Sequence, residues 1–490
     1  MKQCFPRRRL LELALSSALI TACGQLVGDT AQPASRSLPP CTIETWIGGL
    51  NATSEARFRD QLLPAFRARF PMITVKLAGM TPPSISPPRQ FTRGGTMGSL
   101  SGVGGRTPIG GPSNGTRYSA VRGYRTFSGP SDTFNTALTL AASGTPSDAM
   151  LAGTGNVAPV GLNDLSATVS KLTLRQLFGN DVNPASLDQV TFRGSYLGLP
   201  YLANPRGYIW KTGPMLNLTN GQLPTTWEEA IEAGTRSPSA SARNRPPQRR
   251  PFAVTGLHIE FLNLIKSIGG TANENGQAAL AGPEGEEVAR FLSDRGSTDL
   301  GSRLGTSSVW QPDIANPSTV GGWTTLRELQ QARISSPDAF SSVRVGKPIV
   351  PGGTRYHLPG NSPVSRMTMA THSWWFVGRQ SRVTDQAHAL ISYFIEPEPM
   401  LLIAETSALV PVRRSLIGRG FLAEPLFAEF ARSYADAGAP MPVLANAAEM
   451  EDALLTRLNA MVRGEMTPKR AVNEVAASWN ETIARAGYAD

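Results

Sequence analysis

Cysteine and histidine are scarce in this sequence. Three cysteines and four histidines occur among 490 residues. Cys4 and Cys23 lie near the amino terminus, and if that segment is removed Cys41 has no partner for an intramolecular disulfide. No histidine has a second ligand at the spacing of a metal site, which argues against a zinc enzyme or a serine–histidine pair. We therefore expect no metal ion, no cofactor and no catalytic residue.

Long apolar runs and clustered charge are lacking as well. Beyond the amino terminus no segment approaches the ~20 apolar residues that a membrane-spanning helix requires, so we expect the body of the chain to fold in water. The net charge is +10, and its surplus is spread along the chain apart from a short basic run at Arg243–Arg250. A nucleic-acid-binding protein usually concentrates its positive charge on one face or element. We therefore expect no nucleic-acid partner.

The amino terminus has the order of an export signal. Three arginines at residues 7–9 precede a short apolar run that ends at Cys23. A positive head, a short apolar run and small residues at the end are typical of a signal peptide. The segment Ile20–Cys23 resembles the bacterial lipobox, which implies that Cys23 carries lipid and becomes the new amino terminus. An ordinary signal peptide with a chance cysteine is the alternative, and twin-arginine export is an alternative route.

The predicted organisation after the signal peptide (residues 1–22) begins with a flexible tether at residues 23–40. Residues 41–46 alternate as a strand, a helix with Phe58, Leu62, Phe66 and Phe70 on one face follows, and residues 73–77 form a second strand. Pro64 should bend this helix. Strand, helix and strand within ~35 residues predict a parallel βαβ unit.

Two further patterns complete the predicted organisation. Residues 79–130 are rich in Gly, Pro, Ser, Thr and Arg and predict an insertion with little regular structure, after which residues 131–143 should be helical. Thr226 and Glu229 match a capping box at the start of a helix. The periodicity also predicts helices after Pro283 and Thr384, and a final pair over residues 447–462 and 467–486.

Several spaced motifs resemble those of the extracellular solute-binding proteins of ABC importers, the group that includes maltose- and glycerol-phosphate-binding proteins. These motifs are Thr42–Trp46, Phe70–Val75, Ser143–Asp148, Phe192–Pro200, Leu223–Glu229, Ser407–Pro411 and Gly464–Pro468. The resemblance covers residues 42–78 and 131–486. Asp148 departs from the family pattern because Ser147 separates it from Pro146.

The resemblance implies an α/β, two-lobed periplasmic-binding-protein fold with a hinge and a ligand cleft between the lobes. Lobe I would comprise residues 41–188 and 365–408, with the 79–130 insertion, and lobe II residues 189–364 and 409–490. Hinge bending would close the cleft on the solute, and the permease of an ABC importer would bind the closed form. We expect a monomer.

Candidate ligand residues follow from what sugar sites contain, namely aromatic platforms and hydroxyl-binding polar groups. Trp46 ends the first strand, where open α/β sheets bind ligands. Because strand neighbours point to opposite faces, at most one of Trp374 and Trp375 should face the cleft. The predicted ligand-binding residues are Trp46, Asn51, Asn156, Tyr208, Trp323, His372 and Trp374. Trp227 and Trp479 are expected in the core.

The predicted function is that of a lipid-anchored extracytoplasmic protein that captures a carbohydrate-like solute for an ABC importer. Sugar, oligosaccharide and glycerol phosphate all fit the pattern. An exported glycan-active hydrolase is one alternative, but it would need two positioned carboxylates, and only Asp148 and Asp164 are near the predicted cleft. A lipoprotein that serves interaction without transport is the other.

Overall fold

The computed structural model describes residues 38–47, 52–80, 148–153, 168–192, 194–236, 252–253, 257–274, 276–296, 320–358, 366–442 and 447–485. The predicted signal peptide, the tether up to residue 37, the insertion after residue 80 and the helix at 131–143 lie outside these residues. No helix in the described ranges is both long and apolar enough to cross a bilayer.

The strands of the described part, in chain order, are β1 (Cys41–Ile47), β2 (Ile73–Met80), β3 (Ala149–Gly153), β4 (Thr191–Phe192), β5 (Ser195–Tyr196), β6 (Leu199–Lys211), β7 (Phe252–Ala253), β8 (Asn273–Glu274), β9 (Gln277–Ala278), β10 (Gly321–Thr325), β11 (Val343–Gly346), β12 (Thr368–Val377), β13 (Val410–Pro411) and β14 (Gly438–Pro440).

The helices, in the same order, are α1 (Ala52–Arg57), α2 (Leu63–Arg69), α3 (Lys171–Phe178), α4 (Pro184–Gln189), α5 (Thr212–Thr219), α6 (Trp227–Arg236), α7 (Leu257–Ser267), α8 (Pro283–Gly296), α9 (Leu326–Ser335), α10 (Pro337–Ser341), α11 (Thr384–Phe394), α12 (Pro397–Ser407), α13 (Pro425–Ala437), α14 (Ala447–Val462) and α15 (Pro468–Arg485). Short 3-10 turns occupy Arg414–Leu416 and Gly420–Ala423.

The predicted βαβ unit is confirmed. β1 runs parallel to β2, with Cys41 opposite Ile73, and parallel to β3 on its other side. Between β1 and β2, the helical segment buries Phe58 and Phe66 completely. The bend expected at Pro64 takes the form of a π-helical turn over Phe58–Leu62, directly before α2. Proline has no N–H to donate to the preceding turn, so a local change of helix type is the expected response.

The described part contains one 10-stranded sheet. Seven of its strands follow the order β2-β1-β3-β12-β6-β10-β7, while β11 and β13 pair with β6 and β14 pairs with β12. The long strand β6 is its centre, because its first half pairs with β12 and its second half with β10 and β11. All three of these pairings are antiparallel. β6 therefore pairs with strands at both ends of the sheet and joins them, with one register irregularity in its ladder to β12 between Ser373 and Trp374.

Buried apolar side chains form three clusters along this sheet. The first-lobe core includes Ile43, Phe58, Phe66, Leu199, Leu202, Trp375, Phe394 and Leu409. The second-lobe core includes Tyr208, Trp210, Trp227, Phe291, Trp323, Met369, Leu454 and Trp479. The hinge cluster, which packs α13 against the sheet, includes Ala203, Ile209, Ala370, Phe427, Phe430 and Tyr434.

This packing differs in detail from the predicted lobe bounds, which remain a prediction. Leu199, Leu202 and Leu409 were assigned by sequence to lobe II, but they pack in the first-lobe core. Met369 was assigned to lobe I and packs in the second-lobe core. The reason is that β6 and β12 each run through both cores, so a boundary drawn at a loop cannot separate them.

A carboxylate held by backbone N–H groups fixes the start of α6. The predicted capping box is confirmed, since Glu229 N donates to Thr226 Oγ1 and Thr226 N to Glu229 Oε2. The neighbouring Glu228 accepts bonds from the amides of Gly352 (2.7 Å), Arg355 (3.1 Å) and Tyr356 (3.0 Å). Burial acts to raise the pKa of Glu228, but these donors outweigh it and the pKa is lowered.

We predict that Glu228→Gln destabilises the protein by roughly 1–3 kcal/mol, because at least one backbone donor then faces an NH2 group. The folded-state pKa is lowered, so the stabilisation is present above the unfolded pKa of ~4.3 and is lost as pH falls through the folded value. Urea unfolding at pH 7 and at pH 3.5 measures both effects. Glu405→Gln at an exposed helical position is the control. An equal deficit at both pH values would contradict this account.

Candidate functional site

One face of β6 changes from apolar to polar and back where the strand passes between the two cores. Leu202 packs in the first-lobe core and Tyr208 in the second-lobe core. Between them, on the same face, Asn204 and Arg206 are half-buried. A polar interval in an otherwise buried central strand has to be explained by what it binds, since burying polar groups opposes folding.

The opposite face of β6 is closed by α13. Ala203 and Ile209 point to this side and lie in the hinge cluster. Gly207 lies so close to α13 that a Cβ added there would be 3.1 Å from the ring of Phe430. α13 therefore covers one face of β6, and the polar residues Asn204 and Arg206 lie on the other face.

Arg206 lies beside the start of α9. It is the direct cross-strand partner of Thr325, which caps that helix. Glu328 completes a capping box, because Glu328 N donates to Thr325 Oγ1 (3.3 Å) and Thr325 N donates to Glu328 Oε2 (2.8 Å). Thr324 Oγ1 adds a third bond, 3.1 Å from Glu328 Oε2. The carboxylate of Glu328 is thus held at the residue that pairs with Arg206, and the two side chains act on each other electrostatically.

A buried ion pair lies beyond Arg206 in the second-lobe core. Arg295 and Glu260 form two bonds of 2.6 and 2.8 Å, and both side chains are almost wholly buried. The hydroxyl of Tyr208 donates to Glu260 Oε1 at 2.8 Å. The negative charge of Glu260 also acts on Arg206. Arg295, Glu260, Arg206 and Glu328 therefore form a series of charges of alternating sign.

His258, the second residue of α7, completes this group. Burial and the nearby charge of Arg206 lower its pKa to about 4, so the imidazole is neutral at pH 7. His258 Nδ1 and Asn204 Oδ1 are buried and find no hydrogen-bond partner among the described residues. Buried polar atoms are normally satisfied, which makes Asn204 and His258 candidates for contact with a polar molecule. We call Asn204, Arg206, His258 and Glu328 the crossing-strand site.

Two predicted ligand residues, Tyr208 and Trp323, lie inside the second-lobe core. Each is only 1% exposed, and their rings meet edge to face with centroids 5.0 Å apart. The hydroxyl of Tyr208 is already bonded to Glu260. Both side chains are therefore covered by the core, and their predicted role in ligand binding stays a prediction.

His372 lies on the covered side of the hinge. It is the cross-strand partner of Ala203, and its Nε2 is 2.5 Å from the hydroxyl of Tyr434 on α13. Ser186 contacts the same hydroxyl at 2.9 Å. Burial lowers the pKa of His372 to about 3. The side chain thus lies on the face covered by α13, and the strands separate it from the polar face, so a contact between His372 and a solute stays a prediction that this position does not favour.

The expected division between Trp374 and Trp375 is compatible with the packing. Trp375 lies in the first-lobe core, stacked on Phe394 with centroids 5.2 Å apart. Trp374 takes the opposite face of β12 and is 2% exposed. Its Nε1 is buried without a hydrogen-bond partner in the described ranges. A role for Trp374 in the cleft stays a prediction.

The remaining predicted positions are at the ends of first-lobe strands. Trp46 lies in β1, where its backbone pairs with Gly79 and Met150, but its side chain is outside the described part. Asn51 and Asn156 also lie outside it, as does the predicted lipidation site Cys23. Their roles stay predictions.

Asp148, the residue at which this sequence departs from the family motif, connects two parts of the fold. Its Oδ2 accepts from Glu44 N at 2.9 Å and its Oδ1 from Ser381 Oγ at 2.6 Å, so it joins β1 to the turn before α11. The core positions predicted for Trp227 and Trp479 are confirmed, since both are fully buried. Among the described residues, no group of three or more acidic, histidine or cysteine side chains could hold a metal ion.

The sequence contained signals for the crossing-strand site that motif comparison did not detect. Asn204 and Arg206 interrupt a run that otherwise has strand character, and Thr325 with Glu328 has the spacing of a capping box. His258 gave no such signal, because its neighbours in the site come from β6 and α9.

We predict that Glu260→Gln destabilises the protein by roughly 3–5 kcal/mol, because Arg295 is then left buried without its counter-charge. Urea unfolding followed by circular dichroism measures the loss. Glu465→Gln, which breaks the exposed pair between Glu465 and Arg463, is the matched control and should change little. Equal losses in the two variants would show that the buried pair contributes no more to the free energy of unfolding than the exposed pair does.

Comparison with known proteins identifies the fold. No protein-family model matches the sequence, and no curated protein matches it. Solved structures do match. The sugar-binding protein MalE from Xanthomonas citri superposes with a TM-score of 0.69 at 15% identity, over 91% of this chain and 98% of that one.

Two further solved structures agree. The cyclic alpha-maltosyl-1,6-maltose binding protein from Arthrobacter globiformis has a TM-score of 0.62 and 16% identity, over 91% of this chain and 100% of that one. A cyclo/maltodextrin-binding protein complexed with maltotetraose has a TM-score of 0.62 and 13% identity, over 92% and 98%. The chain therefore has the α/β, two-lobed fold of the periplasmic solute-binding proteins, with a hinge and a cleft between its lobes.

Proposed function

We propose that this chain is a lipid-anchored solute-binding protein that captures a carbohydrate-like solute outside the cytoplasm and delivers it to the permease of an ABC importer. The observation that carries the proposal is the crossing-strand site. It places half-buried polar groups on the strand that joins the two lobes, in a fold shared with proteins named for sugar binding.

The chemistry of the site suits hydroxyl groups. A sugar hydroxyl both donates and accepts hydrogen bonds, and the site offers both kinds of partner. Arg206 supplies N–H donors, the carboxylate of Glu328 accepts, and the amide of Asn204 can do either. Trp46 and Trp374 are proposed as apolar platforms for sugar rings. The predicted loop residues Asn51 and Asn156 would approach from lobe I.

Closing the hinge would enclose a solute that is bound at the crossing-strand site. β6 and β12 pass through both cores, so bending them moves one core towards the other. A solute that contacts both lobes stabilises the closed form by its differential affinity for that form. The permease would then bind a surface that exists only when the cleft is closed, and a monomer is sufficient for this cycle.

We predict that the protein binds a neutral saccharide and that substitutions in the cleft weaken this binding. Maltose, maltotetraose, a cyclic maltosyl-maltose and tagatose form the first panel, measured by calorimetry and tryptophan fluorescence. Arg206→Gln should raise Kd about 10- to 100-fold, as expected for loss of a charged hydrogen-bond donor. Trp46→Ala and Trp374→Ala should weaken binding with the fold intact.

Arg470→Gln, at an exposed position on α15, is the control for Arg206→Gln and should leave Kd unchanged. Unchanged affinity in both tryptophan variants would remove them from the cleft. Failure of the wild-type protein to bind any member of a broad saccharide library would contradict the proposed function. Release of reducing sugar from glycosides would favour the hydrolase alternative.

The proposed anchor gives a separate prediction. In a bacterial host that processes lipoproteins, the wild-type chain should fractionate with membranes, and Cys23→Ser should release it or leave it unprocessed. Cys41→Ser is the control, because Cys41 lies in β1 of the folded body. Metabolic labelling with a fatty acid analogue measures the modification directly. Equal membrane recovery of wild type and Cys23→Ser would contradict lipidation at Cys23.

A further inference from the structure

We propose that Glu328 is a specificity-determining residue, which neutralises the cation of the crossing-strand site and thereby excludes phosphorylated and other anionic solutes. This inference rests on the proposed function for the location of the solute. It concerns a choice that the sequence left open, because sugar and glycerol phosphate both fitted the family resemblance.

The surroundings of Arg206 would otherwise favour an anion. A guanidinium binds phosphate through paired N–H donors, and the start of a helix adds backbone N–H groups with a favourable dipole. Arg206 stands beside the start of α9, a helix of 10 residues, because it is the cross-strand partner of the cap residue Thr325. Paired residues of antiparallel strands have Cβ atoms only ~4.5–5.5 Å apart.

A carboxylate of the chain itself already occupies this position. Glu328 Oε2 accepts from Thr325 N at 2.8 Å and from Thr324 Oγ1 at 3.1 Å. These are donors that a bound phosphate at the start of α9 would use. An incoming anion would have to displace Glu328 or lie beside it, and like charges at short range repel each other.

Glu328, more than Glu260, balances the charge of Arg206. Glu260 is already bonded twice by Arg295 and once by Tyr208. In agreement with this, the charge of Glu328 raises the pKa of Arg206 more than that of Glu260 does, although burial lowers it. In return, Arg206 lowers the pKa of Glu328 against the larger effect of burial.

The other titratable groups near Glu328 are His258 and Arg327, and the charge of Glu328 also acts on Arg327. The two arginines and two glutamates of the alternating series sum to zero, and His258 is neutral. Arg327, the neighbour of Glu328, donates from its Nε to the carbonyl of Ser407 at the end of α12. Within the alternating series each guanidinium thus has a carboxylate to balance it, which favours an uncharged, hydroxyl-rich solute over an anion at Arg206.

The test removes the charge of Glu328 and keeps its hydrogen bonds. Glutamine is accepted at this position of a capping box, so Glu328→Gln should retain the start of α9. Inorganic phosphate, glucose 1-phosphate and glucose are the probes, measured by calorimetry and thermal shift at low and high salt. We expect the wild type to bind the two anions at least 10-fold more weakly than Glu328→Gln does, and added salt should reduce the gain.

Control variants distinguish an effect of charge at this site from an effect of the protein's overall charge. Glu229→Gln removes the same charge from the other capping box, at the start of α6, and should give no gain in anion binding. Glu328→Asp keeps the charge and should keep the exclusion even if the helix start is weakened. Arg206→Gln in the Glu328→Gln background should abolish the gain.

Each outcome decides the inference. Equal gains in anion affinity in Glu328→Gln and Glu229→Gln would overturn it. So would a folded Glu328→Gln protein that binds the anions no more tightly than the wild type does. If Glu328→Gln does not fold, loss of exclusion in Glu328→Asp would overturn it and retention would support it. The phosphate measurements do not depend on saccharide binding, so failure of the proposed function would be seen separately, as absence of binding to the neutral panel.

Discussion

The antiparallel pairing of β6 with β12 is the constraint on which the rest of the structure depends. This ladder joins the first-lobe core to the second-lobe core, and the hinge cluster packs on one of its faces. Because the strand is shared, neither core can shift along the ladder without changing its register. Bending across the ladder is the motion that remains, and it changes the distance between the cores while each core keeps its packing.

On the other face of this ladder, buried charges are paired with charges of opposite sign. Glu260 and Arg295 are buried, so neither could remain charged there without the other. The pair also anchors the hydroxyl of Tyr208, whose neighbour on the same face is Arg206. The position of the polar residues on β6 is therefore supported by an ion pair deeper in the core, so the stability of this core and the shape of the proposed site depend on the same residues.

Local patterns predicted the local structure well. The βαβ unit, the capping box at Thr226 and the helix Ala447–Val462 follow from periodicity and turn chemistry within short windows. The site was harder, because His372 was chosen for its place at a predicted crossing between the lobes and Trp323 for its place in the predicted ligand-facing region of lobe II. Which face of a strand is covered depends on distant elements such as α13, and no window of sequence around His372 contains that information.

The cover that α13 places on one side of the crossing strands makes the hinge directional. Bending towards α13 would press the backbone at Gly207 onto Phe430, where a Cβ would already lie only 3.1 Å from the ring. The contact between β6 and α13 therefore limits bending in that direction. If the chain binds a solute as proposed, the affinity would include the work of bending these strands, and residues that do not touch the solute, Tyr434 and Ser186 among them, would contribute to it.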